Sequence, residues 1–174
     1  MDGSVAQSMR ASGLDYRYNW GWTRGYLLEL VAHYQPSREL AEALRESAVR
    51  ELLILSTMLF PREELTEQDV EAFLEKATNV ELQEQLAFNL LAYVPLAIRW
   101  AEEVVLSNAT DESKLYVALL SIANYTKRQP DKPLPEKLTE ALEPYVSTEE
   151  LPMHCRRVAY DLLITLEERT ASND

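Results

Sequence analysis

The chain has 174 residues, 47% of them hydrophobic, and a formal net charge of −12 from 17 basic and 29 acidic side chains. That length suits one domain or one short array of repeats with a sizeable core, and the excess of acid opposes whole-surface binding to a polyanion, whose affinity comes from Lys and Arg displacing counterions. Cys155 is the lone cysteine, so no internal disulfide is possible; with no apolar leader and no run long enough for a membrane span, the expected setting is cytoplasmic.

Four glycines and eight prolines punctuate a series of helical patterns, and strand signals are nearly absent. A first helix is expected from about Val5 to Ser12, stopped by Gly13 in a left-handed cap. From Thr23, Leu27, Leu30, Val31 and Tyr34 form the stripe of an amphipathic helix that Pro36 ends. Ser37 caps the next, with Leu40, Ala41 and Leu44 on one face. Another begins near Ala48, where "VRELLILSTMLF" is apolar around most of its circumference and so calls for cover on several sides.

Thr66-x-x-Asp69 is a capping pattern ahead of Val70, Phe73, Leu74 and Ala77. Asn79 caps "VELQEQLAFNLLAY", and Pro95 suits the first turn of "PLAIRWAEEVVLS", where its missing N–H is an orphan anyway. Asp111 to about Lys127 is again broadly apolar. "RQPDKPLPEK" is the clearest loop, followed by a short helix with Leu138 and Leu142. Ser147-x-x-Glu150 is read as the cap of a last helix whose buried stripe is Cys155, Ala159, Leu162 and Leu166.

Broadly apolar helices thus begin near Ala48, Asn79, Asp111 and Leu151, with one-sided helices between them. The first two separations are 31 and 32 residues. A period of that size describes helix pairs stacked side by side, an all-α, HEAT-like α-α superhelix of antiparallel pairs. The expected organisation is one domain, residues 1–22 forming an N-terminal helix and strap and 23–174 the stacked pairs; a compact irregular bundle is the alternative.

The strap is "LDYRYNWGW", in which Tyr16, Tyr18, Trp20 and Trp22 alternate with Arg17, Asn19 and Gly21. An extended backbone places all four rings on one face. Such a row can stack on bases, but four exposed rings make a larger apolar patch than a monomer tolerates. Most of them are therefore expected to close the open end of the first helix pair, with one or two reaching a partner. This stretch is also the least acidic: residues 1–38 carry four basic side chains against three acidic ones.

The motifs "SMRASGLDYRYNWGW", "LAEALRES", "RELLIL", "LTEQDVEAF" and "TNVELQEQLAF", in that order over roughly residues 5–125, resemble the HEAT-like DNA alkylation repair family, the alkylpurine DNA glycosylase group. The resemblance implies a curved right-handed stack of helix pairs whose concave side follows a DNA backbone. In active members a Trp, an Asp four residues later and an Arg from the next repeat stabilise the cationic sugar as an alkylated purine leaves. Those roles make physical sense, since a carboxylate and an aromatic face both stabilise growing positive charge.

On this chain the Trp position falls on Val80, the acidic position on Glu84 and the Arg slot on Val117 or Ala118, with Lys114 the nearest base. The resemblance therefore implies a catalytically degenerate member with Glu84 as its lone catalytic candidate. An active glycosylase for alkylated bases is one alternative, and an acidic protein-interaction scaffold is another.

Elsewhere, Lys127, Arg128, Lys132 and Lys137 gather around the proline loop, and Arg156 and Arg157 lie on the last helix. Together with Tyr16, Arg17, Tyr18, Trp20 and Trp22 they are the candidates for binding DNA; the alternative is a basic protein that meets the acidic surface. For Lys127 and Arg128 the plain alternative is compensation of a helix dipole. His33 and His154 are the only histidines, no Cys/His cluster has metal-ligand spacing, and Cys155 reads as a buried thiol. No metal, cofactor or membrane partner is expected.

Overall fold

A computed structural model describes residues 3–11, 14, 16–132, 134–135 and 137–173. The fold is all-α, as expected, and the described residues contain no strand. The chain divides into two compact units, residues 1–90 and 91–174.

The first unit holds α1 (Gly3–Ala11), α2 (Arg24–Val31), α3 (Arg38–Arg45), α4 (Arg50–Leu59), α5 (Glu67–Lys76) and α6 (Val80–Asn89), with a 3-10 turn at Arg62–Glu64. The expected end of α1 at Ser12 and Gly13 lies outside the described residues. Side-chain caps fix most starts: Ser37 accepts from the Leu40 amide at 3.2 Å, Asn79 from Leu82 at 3.1 Å, and Thr66 and Asp69 close a reciprocal capping box. Each satisfies amides that the first helical turn leaves open.

α4 starts at Arg50, later than expected. Val49, its N-cap, has no side-chain acceptor. The strap supplies one instead, as the Tyr18 carbonyl accepts from the Arg50 amide at 3.0 Å and Tyr18 bridges Val49 in parallel register. α4 packs on α2, α3 and α6, and α5 packs on α6. Leu27, Ile54, Phe60, Leu86 and Leu90 are fully buried there, each contributing about 1.5–3 kcal/mol by leaving water. Phe60 and Phe73 meet edge to face at 5.4 Å.

The second unit opens with a 3-10 turn at Leu91–Tyr93 and continues with α7 (Pro95–Leu106), α8 (Glu112–Arg128), α9 (Lys137–Ser147) and α10 (Met153–Asn173). Pro95 occupies the first turn of α7, and Asp111 caps α8 through the Lys114 amide at 2.9 Å. After α7 the chain turns at Asn108, whose φ of 52° is a left-handed conformation that asparagine tolerates.

α8 is buried without a break from Leu115 to Ile122 because α7 and α10 both lie against it. The stripe Cys155, Ala159, Leu162 and Leu166 on α10 is buried as expected. α9 packs on α7 and α10, and the Tyr145 hydroxyl ties it to α7 by donating to the Val105 carbonyl at 3.0 Å.

One expected start is wrong. Ser147 ends α9 instead of capping α10: its hydroxyl turns back to the Glu143 carbonyl at 3.0 Å, and α10 begins at Met153. The helix continues through Pro144, which the Ser-x-x-Glu pattern does not register. Of the proline loop, Pro133 and Glu136 lie outside the described residues.

Candidate functional site

The strap is held by charges at the head of α4. Glu51 is fully buried, and its two carboxylate oxygens accept from the amides of Trp20 at 3.0 Å and Trp22 at 3.2 Å. Arg50 beside it donates to the Trp22 carbonyl at 3.0 Å and to Glu51 at 3.0 Å. Its Nε reaches Glu81 at the start of α6 at 2.8 Å, and its Nη2 forms a second, very short bond to the same carboxylate. The Tyr16 hydroxyl lies 2.5 Å from Glu81 and 3.0 Å from the Asn79 side-chain oxygen. With one proton to give, it donates to the closer and charged acceptor.

Electrostatics follow from this arrangement. Burial alone would raise the Glu81 carboxyl, but the bonds from Arg50 and Tyr16 outweigh it and hold the group below its ordinary range. Burial raises the Tyr16 phenol, and the neighbouring Glu81 raises it further. Arg50 and Glu81 therefore stay charged and Tyr16 stays protonated at neutral pH, so none of the three is poised to shuttle protons. Its contacts are structural ones that fasten residues 16–22 to α4 and α6.

The four rings do not share one face. Tyr16 is buried, Tyr18 is 52% exposed, and Trp20 and Trp22 are half-buried. Extended geometry fails at Gly21, whose φ of 73° is left-handed and whose amide donates to the Asn19 side chain at 2.8 Å. The turn brings Trp20 against Trp22 at 5.0 Å, and Trp22 meets Tyr26 at 4.7 Å. Arg17 is exposed and lies 5.4 Å from the Tyr18 ring. Tyr18 is the most exposed of the four rings.

A second network joins α3 to α5. Arg38 clamps Asp69 with bonds of 2.9 and 3.0 Å, adds Glu42 and Glu64 at 3.0 Å each, and lies over the Phe60 ring at 4.7 Å. Burial pushes the Asp69 carboxyl up, yet the bonds from Arg38 and Thr66 prevail and bring it to about 2.

Of the positions to which the family resemblance assigns catalysis, Glu84 carries a carboxylate and Val80, Val117 and Ala118 carry aliphatic side chains. Val80 is exposed on the first turn of α6, and Glu84 is half-buried one turn on. Val117 and Ala118 are wholly buried in α8, so neither position has room for a projecting arginine. Lys114 lies 5.8 Å from the Trp100 ring, and Trp100 is buried in α7.

Among the basic candidates, Lys127, Arg128, Lys132, Lys137 and Arg157 are exposed. Arg128 lies over the Tyr93 ring at 4.2 Å in the last turn of α8, where a cation also offsets the helix dipole. Arg156 is half-buried, and its Nε finds no hydrogen-bond acceptor among the described residues.

Cys155 is buried, and burial, helped by Glu112, raises its thiol to about 11. His154 packs edge to face on Tyr116 at 4.5 Å. Among the described residues no group of three His, Cys, Asp or Glu side chains could hold a metal ion. Nor is any helix of the described residues long and apolar enough to cross a membrane.

Among the described residues, two openings bear on the site. One, of about 400 Å³, lies between α7, α8 and the proline loop, with Arg99, Glu102 and Tyr125 among its walls; burial raises the Glu102 carboxyl, against the pull of Arg99. The other is an apolar groove between α2, α3 and α4. No family model, no curated protein and no solved structure matches the chain.

Sequence reasoning singled out Glu84 and passed over Arg50, Glu51 and Glu81. A signal was present: an Arg-Glu pair heading a helix that is otherwise apolar all round must find partners when that helix is enclosed.

Proposed function

We propose that this chain is an acidic, HEAT-like helical-repeat module that binds a basic protein segment, built like the DNA alkylation repair family and without its glycosylase chemistry. The observation that carries it is the fate of the cations in the first unit. Arg38, Arg50 and Lys76 are consumed in ion pairs. Arg45 faces the Phe73 ring, and Arg24 and Arg62 donate to Asn89. Glu29, Glu39, Glu63, Glu67 and Glu75 are meanwhile exposed. Arg17, beside the Tyr18 ring, is exposed, but a unit whose other cations named here are engaged by carboxylates, amide groups or rings while these carboxylates face water attracts a basic partner and repels a polyanion.

Contacts at a constant sequence offset support the repeat reading. Arg38 pairs with Asp69 and Arg50 with Glu81, each 31 residues on, and Asn89 bonds Thr57 across 32. Val80, Val117 and Ala118 at the family's functional positions support the loss of catalysis.

The test is a comparison of ligands on the full chain. A lysine-rich peptide should bind, and duplex DNA of similar length should not. Release of 7-methylguanine from alkylated DNA, abolished by Glu84→Gln, would overturn the reading in favour of an active glycosylase. DNA affinity that falls steeply with salt, with a slope flattened by Arg156→Ala and Arg157→Ala, would overturn it in favour of non-catalytic DNA binding.

A further inference from the structure

The stripe that sequence periodicity assigns to the core side of α2 is only partly covered. Leu27 is fully buried, but Leu30 and Val31 are half-exposed and Tyr34, just past the helix, is 53% exposed. Across from it, Leu40 and Leu44 of α3 are likewise half-exposed, and Leu55 and Leu59 of α4 form a buried floor. Together they line a groove of about 190 Å³ that contains no charged side chain. An amphipathic stripe left open on three converging helices is a seat for another apolar face.

We propose that this groove takes one amphipathic helix of a partner protein, with aliphatic anchors at i, i+3 or i+4 and i+7 along one face and Lys or Arg beside them. The anchors follow from size: α2 has 8 residues, so the wall is ~12 Å long, about two turns of a docked helix.

The basic flanks follow from charge. Each cation on the three helices is committed elsewhere: Arg24 to Asn89, Arg38 to Asp69, Arg45 over Phe73 and Arg50 to Glu81. Glu29 and Glu39, next to Leu30 and Leu40, are exposed and hold no ion pair among the described residues. A second copy of the chain is a poor occupant, since each copy carries −12 and like charges oppose association.

This inference rests on the reading of the chain as an acidic module, and its test separates the two. The full chain, with methyl-labelled leucines, is titrated with a synthetic Leu/Lys helix of roughly 18 residues and with an isomer of the same composition whose apolar face is scrambled. The amphipathic peptide should bind about tenfold tighter than its isomer, with methyl shifts concentrated at Leu40, Leu44, Leu55 and Leu59. Leu44→Glu, and independently the milder Tyr34→Ala, should each weaken it several-fold without changing the circular dichroism.

Equal binding of both peptides, with the shifts elsewhere, would refute the groove and leave the acidic module standing. Binding of neither would refute both. A dimer that dissociates on Leu44→Glu would assign the groove to a second copy and so refute the proposal.

Discussion

Arg50 and Glu81, 31 residues apart, meet through two hydrogen bonds with side chains only 5% and 16% exposed. Glu51 shares the same guanidinium and is fully buried. Removing Arg50 strands two carboxylates away from water. Arg50→Met is expected to cost about 3–5 kcal/mol, read from the urea midpoint, and the pair Arg50→Met with Glu81→Leu should cost less than the sum of the single changes.

Acid should weaken the fold through the two depressed carboxyls. Asp69 titrates near 2 in the folded chain against an ordinary 3.8, and Glu81 also lies below its ordinary 4.5. The unfolded chain binds these protons first, so their stabilisation is complete above the ordinary values and is lost as pH falls through the folded ones. Urea midpoints should fall below about pH 5. Relief of acidic self-repulsion acts the other way but is common to Asp69→Asn, whose midpoint should therefore fall less.

Glu51→Ala should free the strap before it unfolds the unit. The amides of Trp20 and Trp22 lose their acceptors, so their hydrogen exchange should quicken selectively and tryptophan emission should shift to the red. Unchanged exchange at those two amides would mean that ring packing alone holds the strap.

Thr66→Ala removes one side of the capping box and a donor to Asp69. A loss of about 1 kcal/mol is expected by chemical denaturation. Thr66→Ser should recover most of it.

The thiol of Cys155, buried and raised to about 11, should resist a thiol-disulfide reagent at neutral pH. Modification should proceed at the rate of unfolding and accelerate only in denaturant.

Local chemistry made much of this legible. Ser37, Thr66, Asn79 and Asp111 are caps with specific amide partners, and the period-3.6 stripes of α5 and α10 are core. What stayed hidden depends on residues distant in sequence. The Glu51 link to Trp20 spans 31 positions, and no helical period distinguishes Glu51 from an exposed glutamate. The expected alignment of all four rings on one face failed for a similar reason, because alternation says nothing of the left-handed turn that Gly21 permits. On α2 periodicity marked the right face, but Leu30 and Tyr34 show that an apolar face is not always a covered one.

The strap's grip on α4 bears on where this chain can be cut. A version starting at residue 23 would keep Glu51 inside while deleting both amides that solvate it, and would open the N-terminus of α4 by removing the Tyr18 carbonyl. The leader is thus part of the foundation of the first unit, and trimming it for convenience would be a destabilising mutation in its own right.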